Sequence, residues 1–292
     1  MSYIEFFTNS PGWFIGSVFV IGLLVGSFLN VVIFRLPRRL NYHWARECRE
    51  LLGHPADAGE NPPPGLIVEP SHCPSCGHHI RFYENIPLLS FVLLGGQCSA
   101  CGAGISLRYP AVEIFTALLS GMVAWKFGVT LATVYGLLFT WMLVAIAFID
   151  LDTQLIPDNL SLPLLWGGLL VNIDYTFAPL RDAVIGAAVG YLLLWLIFHL
   201  FKLVTGKEGM GYGDFKLLAA LGAWMGWQAI PMIILLSSVV GAVIGVFMMI
   251  FRRSDRGQAI PFGPFLAGAG WLAFVWGHEI TAFYNKLTGM GA

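Results

Sequence analysis

Residues 217–251 read LLAALGAWMGWQAIPMIILLSSVVGAVIGVFMMIF, thirty-five positions without a charged side chain. A membrane-crossing helix needs about 20 apolar residues, so this run is too long for a single pass. Its middle, Gly226-Trp227-Gln228-Ala229-Ile230-Pro231, sets turn-capable glycine and proline beside an interfacial tryptophan. Further uncharged or nearly uncharged runs lie at 12–34, 109–126, 127–149, 159–173, 183–201 and 257–277. A turn inside the long run makes eight passes; no turn makes seven.

Charge placement decides the count. With the N-terminus outside and eight passes, the cytoplasmic segments hold the seven basic residues of 35–108, then Lys202, Lys207, Lys216 and the cluster Arg252, Arg253, Arg256. Thirteen of the sixteen Lys and Arg then lie inside, and only Lys126, Arg181 and Lys286 outside, as the positive-inside rule requires. Seven passes would expose the 252–256 cluster. The expected fold is a polytopic α-helical membrane protein of about eight transmembrane helices. Composition agrees: of 292 residues 57% are hydrophobic and 11% charged, where a soluble domain carries roughly 25% charge. The net charge of -1 makes no electrostatic case for nucleic acid; membrane lipid is the expected surrounding.

Gly12 to Phe34 has no Lys or Arg ahead of it and lacks the basic n-region of a cleaved signal peptide. Residues 1–34 are therefore expected to form a retained anchor helix. Residues 35–108, with seven basic and six acidic side chains, form the one stretch suited to water, a small cytoplasmic domain between helices 1 and 2. Residues 109–292 are expected to form a seven-helix membrane domain.

Within 35–108, Cys73-Pro74-Ser75-Cys76 and Cys98-Ser99-Ala100-Cys101 form two C-x2-C pairs separated by 21 residues. Four thiolates so spaced suit tetrahedral Zn²⁺, and a closed shell of four leaves no open position for substrate, so the role is structural. Redox dithiols are the competing reading. His72, His78 and His79 are expected at the surface, and Cys48 as a free thiol.

The eight-pass topology brings Ile149-Asp150-Leu151-Asp152 and Gly209-Met210-Gly211-Tyr212-Gly213-Asp214 to the cytoplasmic face. Two carboxylates that share one proton can act as base and acid on an amide. The plainer readings are solvated boundary residues or helix caps, and Asp152 and Asp158 compete, Asp158 chiefly as a cap ahead of the fourth helix. The glycines favour Asp214, since they permit close backbone approach to an extended substrate. Glu113, inside a span, is a functional candidate that lies near enough to the interface to hydrate. Lys216 reads as a boundary marker.

Gly211-Tyr212-Gly213-Asp214 matches the G-x-G-D motif of membrane aspartic peptidases. Together with Gly26-Ser27-Phe28-Leu29-Asn30-Val31-Val32, both C-x2-C pairs, Ile149-Asp150, Ile156-Pro157-Asp158 and Pro261-Phe262-Gly263-Pro264, it makes the chain resemble the bifunctional type IV prepilin peptidases along nearly its whole length. The resemblance implies an enzyme of the bacterial inner membrane that removes the leader of prepilins and type II secretion pseudopilins at the cytoplasmic surface. It further implies N-methylation of the exposed residue, usually phenylalanine, by S-adenosylmethionine. On that match Asp150 and Asp214 are the catalytic pair, and Gly95 belongs to the region linked to methylation. No G-x-G-x-x-G follows a strand, so the donor site is expected to be unconventional. An ion-coupled transporter and a non-catalytic zinc scaffold are the other classes considered. The first is disfavoured because neither aspartate is near the bilayer midplane, and the second leaves the glycine-framed Asp214 without a role.

Overall fold

In lipid every backbone polar group must be satisfied within its own segment, and the apolar runs accordingly form helices. The computed structural model describes residues 3–54, 61–67, 69–251 and 261–288. The helices are α1 (Tyr3–Asn9), α2 (Pro11–Leu51), α3 (Leu89–Leu93), α4 (Arg108–Phe127), α5 (Leu131–Thr153), α6 (Asp158–Val171), α7 (Leu180–Thr205), α8 (Tyr212–Met225), α9 (Ile230–Phe251) and α10 (Gly263–Thr288). Among the described residues five helical stretches are long and apolar enough to cross a membrane: α2, α4, α5, α7 and one covering most of α9. Helices α6, α8 and α10 lie in the remaining expected spans. However, α6 and α8 have 14 residues each, about 21 Å at 1.5 Å per residue.

The 35-residue run does turn. Gly226, at φ +81°, ends α8, and a 3-10 turn at Trp227–Ala229 leads into α9. Only glycine enters that conformation without steric penalty. The cluster 252–256, which weighed in the orientation, lies outside the described residues.

Two domain boundaries differ from expectation. The anchor helix does not end at 34: α2 continues unbroken through Pro37 to Leu51. The chain forms two compact units, Met1–Trp141 and Met142–Ala292, so the expected boundary at 108/109 falls inside the first. The reason is packing. A β-carbon on Gly22 would lie 2.7 Å from Ala117 Cα, and one on Gly26 2.7 Å from Glu113 Cα. Small residues four apart thus let α2 and α4 meet backbone to backbone, the usual solution where lipid provides no hydrophobic drive between helices. Buried Arg35 on α2 donates to the carbonyls of Gly65 at 2.5 Å and Glu69 at 3.0 Å, and so fastens part of the loop to the helix.

In the second unit α8 is the central element. From Asp214 to Trp224 every residue except Lys216 is buried. It packs against α7 so closely that a β-carbon on Gly222 would lie 2.3 Å from Gly186 O. Fully buried Asn172 donates to the carbonyls of Ala223 and Trp224 at 2.9 and 3.0 Å, and accepts from the amides of Phe177 and Ala178. It thus satisfies carbonyls that the end of α8 would otherwise leave unpaired. Leu192, Leu196 and Leu200 on α7 and Val239 and Val243 on α9 stay exposed, an apolar surface for lipid.

Candidate active site and metal centre

Asp150 stands in the last turn of α5, where the helix dipole disfavours a carboxylate. The opposite end of another helix compensates. The first amide of α10, Gly263 N–H, donates to Asp150 Oδ2 at 3.0 Å. A β-carbon at 263 would sit 2.6 Å from that oxygen and 2.9 Å from Ile156 Cδ1, so the donor can approach only from glycine. Asp214 lies in the first turn of α8, where the dipole favours negative charge. The helix start is held against the segment after α5: a β-carbon on Gly213 would meet Ile156 Cβ at 2.7 Å. Gly213 therefore also serves packing. Gly211 and Gly213 both line the cavity that holds the two aspartates.

That cavity, about 310 Å³, is also lined by Gln154, Ile156 and Phe262. The carboxylates are 5% and 6% exposed and close enough to interact electrostatically. Asp214 Oδ1 is buried without a hydrogen-bond partner among the described residues. A buried acceptor left open is uncommon and marks where a water, a shared proton or a substrate carbonyl can bind. Asp152 and Asp158 are not among the lining residues. Asp158 is not the N-cap of α6, a position held by Pro157. Instead both its oxygens receive Lys216 Nζ, at 2.6 and 2.8 Å, so the supposed cap and the supposed boundary marker are ion-pair partners. Gly263 was present in the sequence only as part of a motif. The signal that could have found it is Pro264 directly after it, marking a helix start.

The cysteines of the first unit sit in two copies of one turn. Cys73 N–H bonds His78 O and Gly77 N–H bonds Cys73 O; Cys98 N–H bonds Ala103 O and Gly102 N–H bonds Cys98 O, all at 2.8–2.9 Å. Gly77 and Gly102 share φ values of +73° and +72°, and isolated bridges pair His72 with His79 and Gln97 with Gly104. The first turn aims backbone amides at sulphur. Donation from the Ser75 and then the Cys76 amide draws the Cys73 thiol down to about 6. All four sulphurs lie within 4.8 Å of one another, and Cys73 Sγ is 3.9 Å from Cys101 Sγ. Tetrahedral bonds of about 2.3 Å to Zn²⁺ space thiolates about 3.8 Å apart, so the cluster fits a metal ion.

His78 is not a bare surface residue. Its Nε2 lies 3.2 Å from Glu84 Oε2, while Ser99 Oγ donates to Glu84 Oε1 at 2.6 Å. The Ser99 hydroxyl and then the Arg81 amide hold the Glu84 carboxyl down to about 2. Glu84 thus ties the two turns together. Glu113 is buried, 7% exposed. Gly95, at φ +61° with open space where a β-carbon would be, shapes the bend after α3.

Two family models match the chain: the Bacterial Peptidase A24 N-terminal domain over residues 20–127 and the Type IV leader peptidase family over residues 137–246. A prepilin leader peptidase/N-methyltransferase of Pseudomonas aeruginosa is 54% identical over 292 residues, covering 99% of both chains. One from Stutzerimonas stutzeri is 56% identical over 97% of this chain and 98% of its own. One from Neisseria gonorrhoeae is 47% identical over 87% and 88% respectively. No solved structure matches. The aspartates meet in the segment covered by the second family model and the cysteines in that covered by the first, and with relatives more than half identical from end to end, the chain belongs to the type IV leader peptidase family.

Proposed function

We propose that this chain removes the leader of type IV prepilins and type II secretion pseudopilins with Asp150 and Asp214, then N-methylates the residue it exposes, usually phenylalanine, from S-adenosylmethionine. The two activities are those in the names of the relatives. The observation that carries the catalytic assignment is the pair of interacting, buried carboxylates in one cavity, one of them with an unengaged oxygen.

The chemistry follows from the hydrogen bonds. The Gly263 N–H at Asp150 Oδ2 favours the carboxylate form there, and in this reading Asp150 is the base. It takes a proton from a water whose oxygen attacks the scissile carbonyl. Asp214, protonated, donates to the carbonyl oxygen. As the C–N bond breaks, the proton held on Asp150 passes to the departing nitrogen. The leader keeps a carboxyl group and the pilin gains a free α-amine.

Cys73, Cys76, Cys98 and Cys101 hold a structural Zn²⁺ in this reading, fixing the two turns and the loop between them. Gly95 acts by shaping that loop. A basic leader remaining at the cytoplasmic surface agrees with the positive-inside assignment, N-terminus outside and active site inward, in a bacterial inner membrane. The test is the purified protein in proteoliposomes with a leader-bearing prepilin, products read by mass spectrometry. Asp150→Asn and Asp214→Asn should each abolish cleavage with the protein still inserted. Near-normal cleavage by both variants would overturn the assignment.

A further inference from the structure

A second cavity, about 560 Å³, lies in the first unit and involves neither aspartate. Asn30 and Phe34 of α2, Leu88 and Phe91 of the loop between the cysteine turns, and Tyr109 and Glu113 of α4 face it. Its size is in the range of small-molecule sites. Glu113 is the unusual member. Its carboxylate is 7% exposed, accepts Leu88 N–H at 2.8 Å and has Ser27 as a further hydrogen-bond donor. Among the described residues no Lys, Arg or His pairs with it. Two arginines also line the cavity: Arg35 is committed to the carbonyls of Gly65, Glu69 and Pro70, and Arg38 stacks over the Phe34 ring at 3.6 Å. A buried carboxylate with neutral donors and no counter-charge is electrostatically incomplete.

The donor is also unusual. Leu88 has φ 57° and ψ -45°, and Leu89 N–H bonds Pro87 O at 2.5 Å. This is a γ-turn of the positive-φ kind, rare and strained for a residue with a side chain. The strained turn aims one amide at one oxygen of Glu113 and leaves the rest of the carboxylate to the cavity. What is missing is a cation. The proposed cleavage creates one, the α-ammonium of the shortened pilin.

We propose that this cavity is the methyl-transfer site, in which Glu113 receives the α-ammonium of the cleaved pilin while Phe91 and Tyr109 face the sulfonium donor. The inference rests on the function proposed above. Aromatic faces attract a cation such as a sulfonium. An α-ammonium with a pKa of about 8 must lose a proton before it can attack, and the Glu113 carboxylate takes it. The nitrogen lone pair then forms the bond to the methyl carbon. The carbon–sulphur bond breaks with its electrons staying on sulphur, which becomes a neutral thioether. The product leaves as a methylated ammonium, and the proton on Glu113 passes to solvent.

The experiment uses the full-length protein in detergent, a synthetic peptide matching a cleaved pilin N-terminus and the same peptide lacking the α-amino group. S-adenosylhomocysteine is titrated separately by calorimetry. The wild-type protein should bind the amine peptide at least tenfold more tightly than the desamino peptide. Glu113→Gln keeps the volume and an oxygen for Leu88 N–H but removes the charge. It should lose that discrimination and raise the KM for the amine peptide at least tenfold, with leader cleavage and S-adenosylhomocysteine binding within twofold of wild type. Leu94→Trp, which narrows the cavity from the side of α3, should weaken S-adenosylhomocysteine binding at least tenfold. Wild-type protein indifferent to the amino group, or Glu113→Gln with an unchanged KM, overturns the inference. A wild-type protein that neither cleaves nor methylates overturns the broader function instead.

Discussion

In the first unit four cysteines, 28 residues from first to last, come together through two copies of one short turn. In the second, two aspartates 64 residues apart meet because the end of α5 and the starts of α8 and α10 converge. The cysteine turns are closed by hydrogen bonds nine residues or fewer in span, and each needs one glycine at positive φ. The aspartate site has no such local closure. Its key bond joins positions 113 apart, and Gly213 and Gly263 are required by neighbouring segments rather than by their own backbone angles. A site made of turns can tolerate motion of the helices around it; one made of helix ends cannot.

The largest expected effect tests the second half of that comparison. Replacing either aspartate by Asn should cost at least 10²–10⁴-fold in cleavage, the usual weight of a positioned acid or base. The double variant should be no worse than the poorer single one, because the pair acts as a unit; additive losses measured by single-turnover kinetics would break the pairing. Next comes Gly263→Ala. Its β-carbon would meet Asp150 Oδ2 at 2.6 Å, and a displacement of about 1 Å at a reacting group is enough for a loss on the order of 10²-fold. Unchanged kcat would show that α10 does not position the base.

The cysteine site should respond differently. Elemental analysis should find about one Zn²⁺ per chain, as a four-thiolate shell holds, and Cys73→Ser or Cys101→Ser should release it. Metal binding and folding are coupled in such small centres, so protease sensitivity should rise around 70–105. Cleavage of prepilin should stay within a few-fold if the helix-end site is independent of the turns. A metal-free protein with wild-type protease resistance would break the comparison from the other side. The smallest effect is expected at the Lys216–Asp158 pair. Asp158 is half exposed, and such pairs contribute about 0–1 kcal/mol. Lys216→Met should leave the melting temperature nearly unchanged, and a small change in kcat, fading with added salt, would show that the lysine also acts on its neighbour Asp214.

The legible parts were those with a short period or a local closure. The apolar runs, the break at Gly226 and both C-x2-C turns can be read from adjacent residues, since helix formation in lipid and thiolate spacing are local matters. Asp214 was legible through its glycines, of which Gly213 also packs against Ile156, a contact that the motif does not announce. The partners of Glu113, Asp158 and Lys216 were not. Each depends on a contact between segments 25 or 58 positions apart, and nothing in a single position's chemistry names its partner. The end of α2 was misplaced for a related reason. A helix that leaves the membrane keeps its own hydrogen bonds in water, so the change to charged residues at Arg35 marks a change of solvent and not a helix end.

The sequence by itself determined that this chain is a helical membrane protein, that the long run turns at Gly226, and that four thiolates in paired turns can gather around a metal. These follow from hydropathy, from the steric freedom of glycine and from spacing along a few residues. Only the tertiary structure decided that Gly263 serves Asp150, that Lys216 belongs to Asp158, and that Glu113 is buried beside a strained turn with no cation to meet it. Helix packing sets these, because it places side chains by the closest approach of backbones from distant segments.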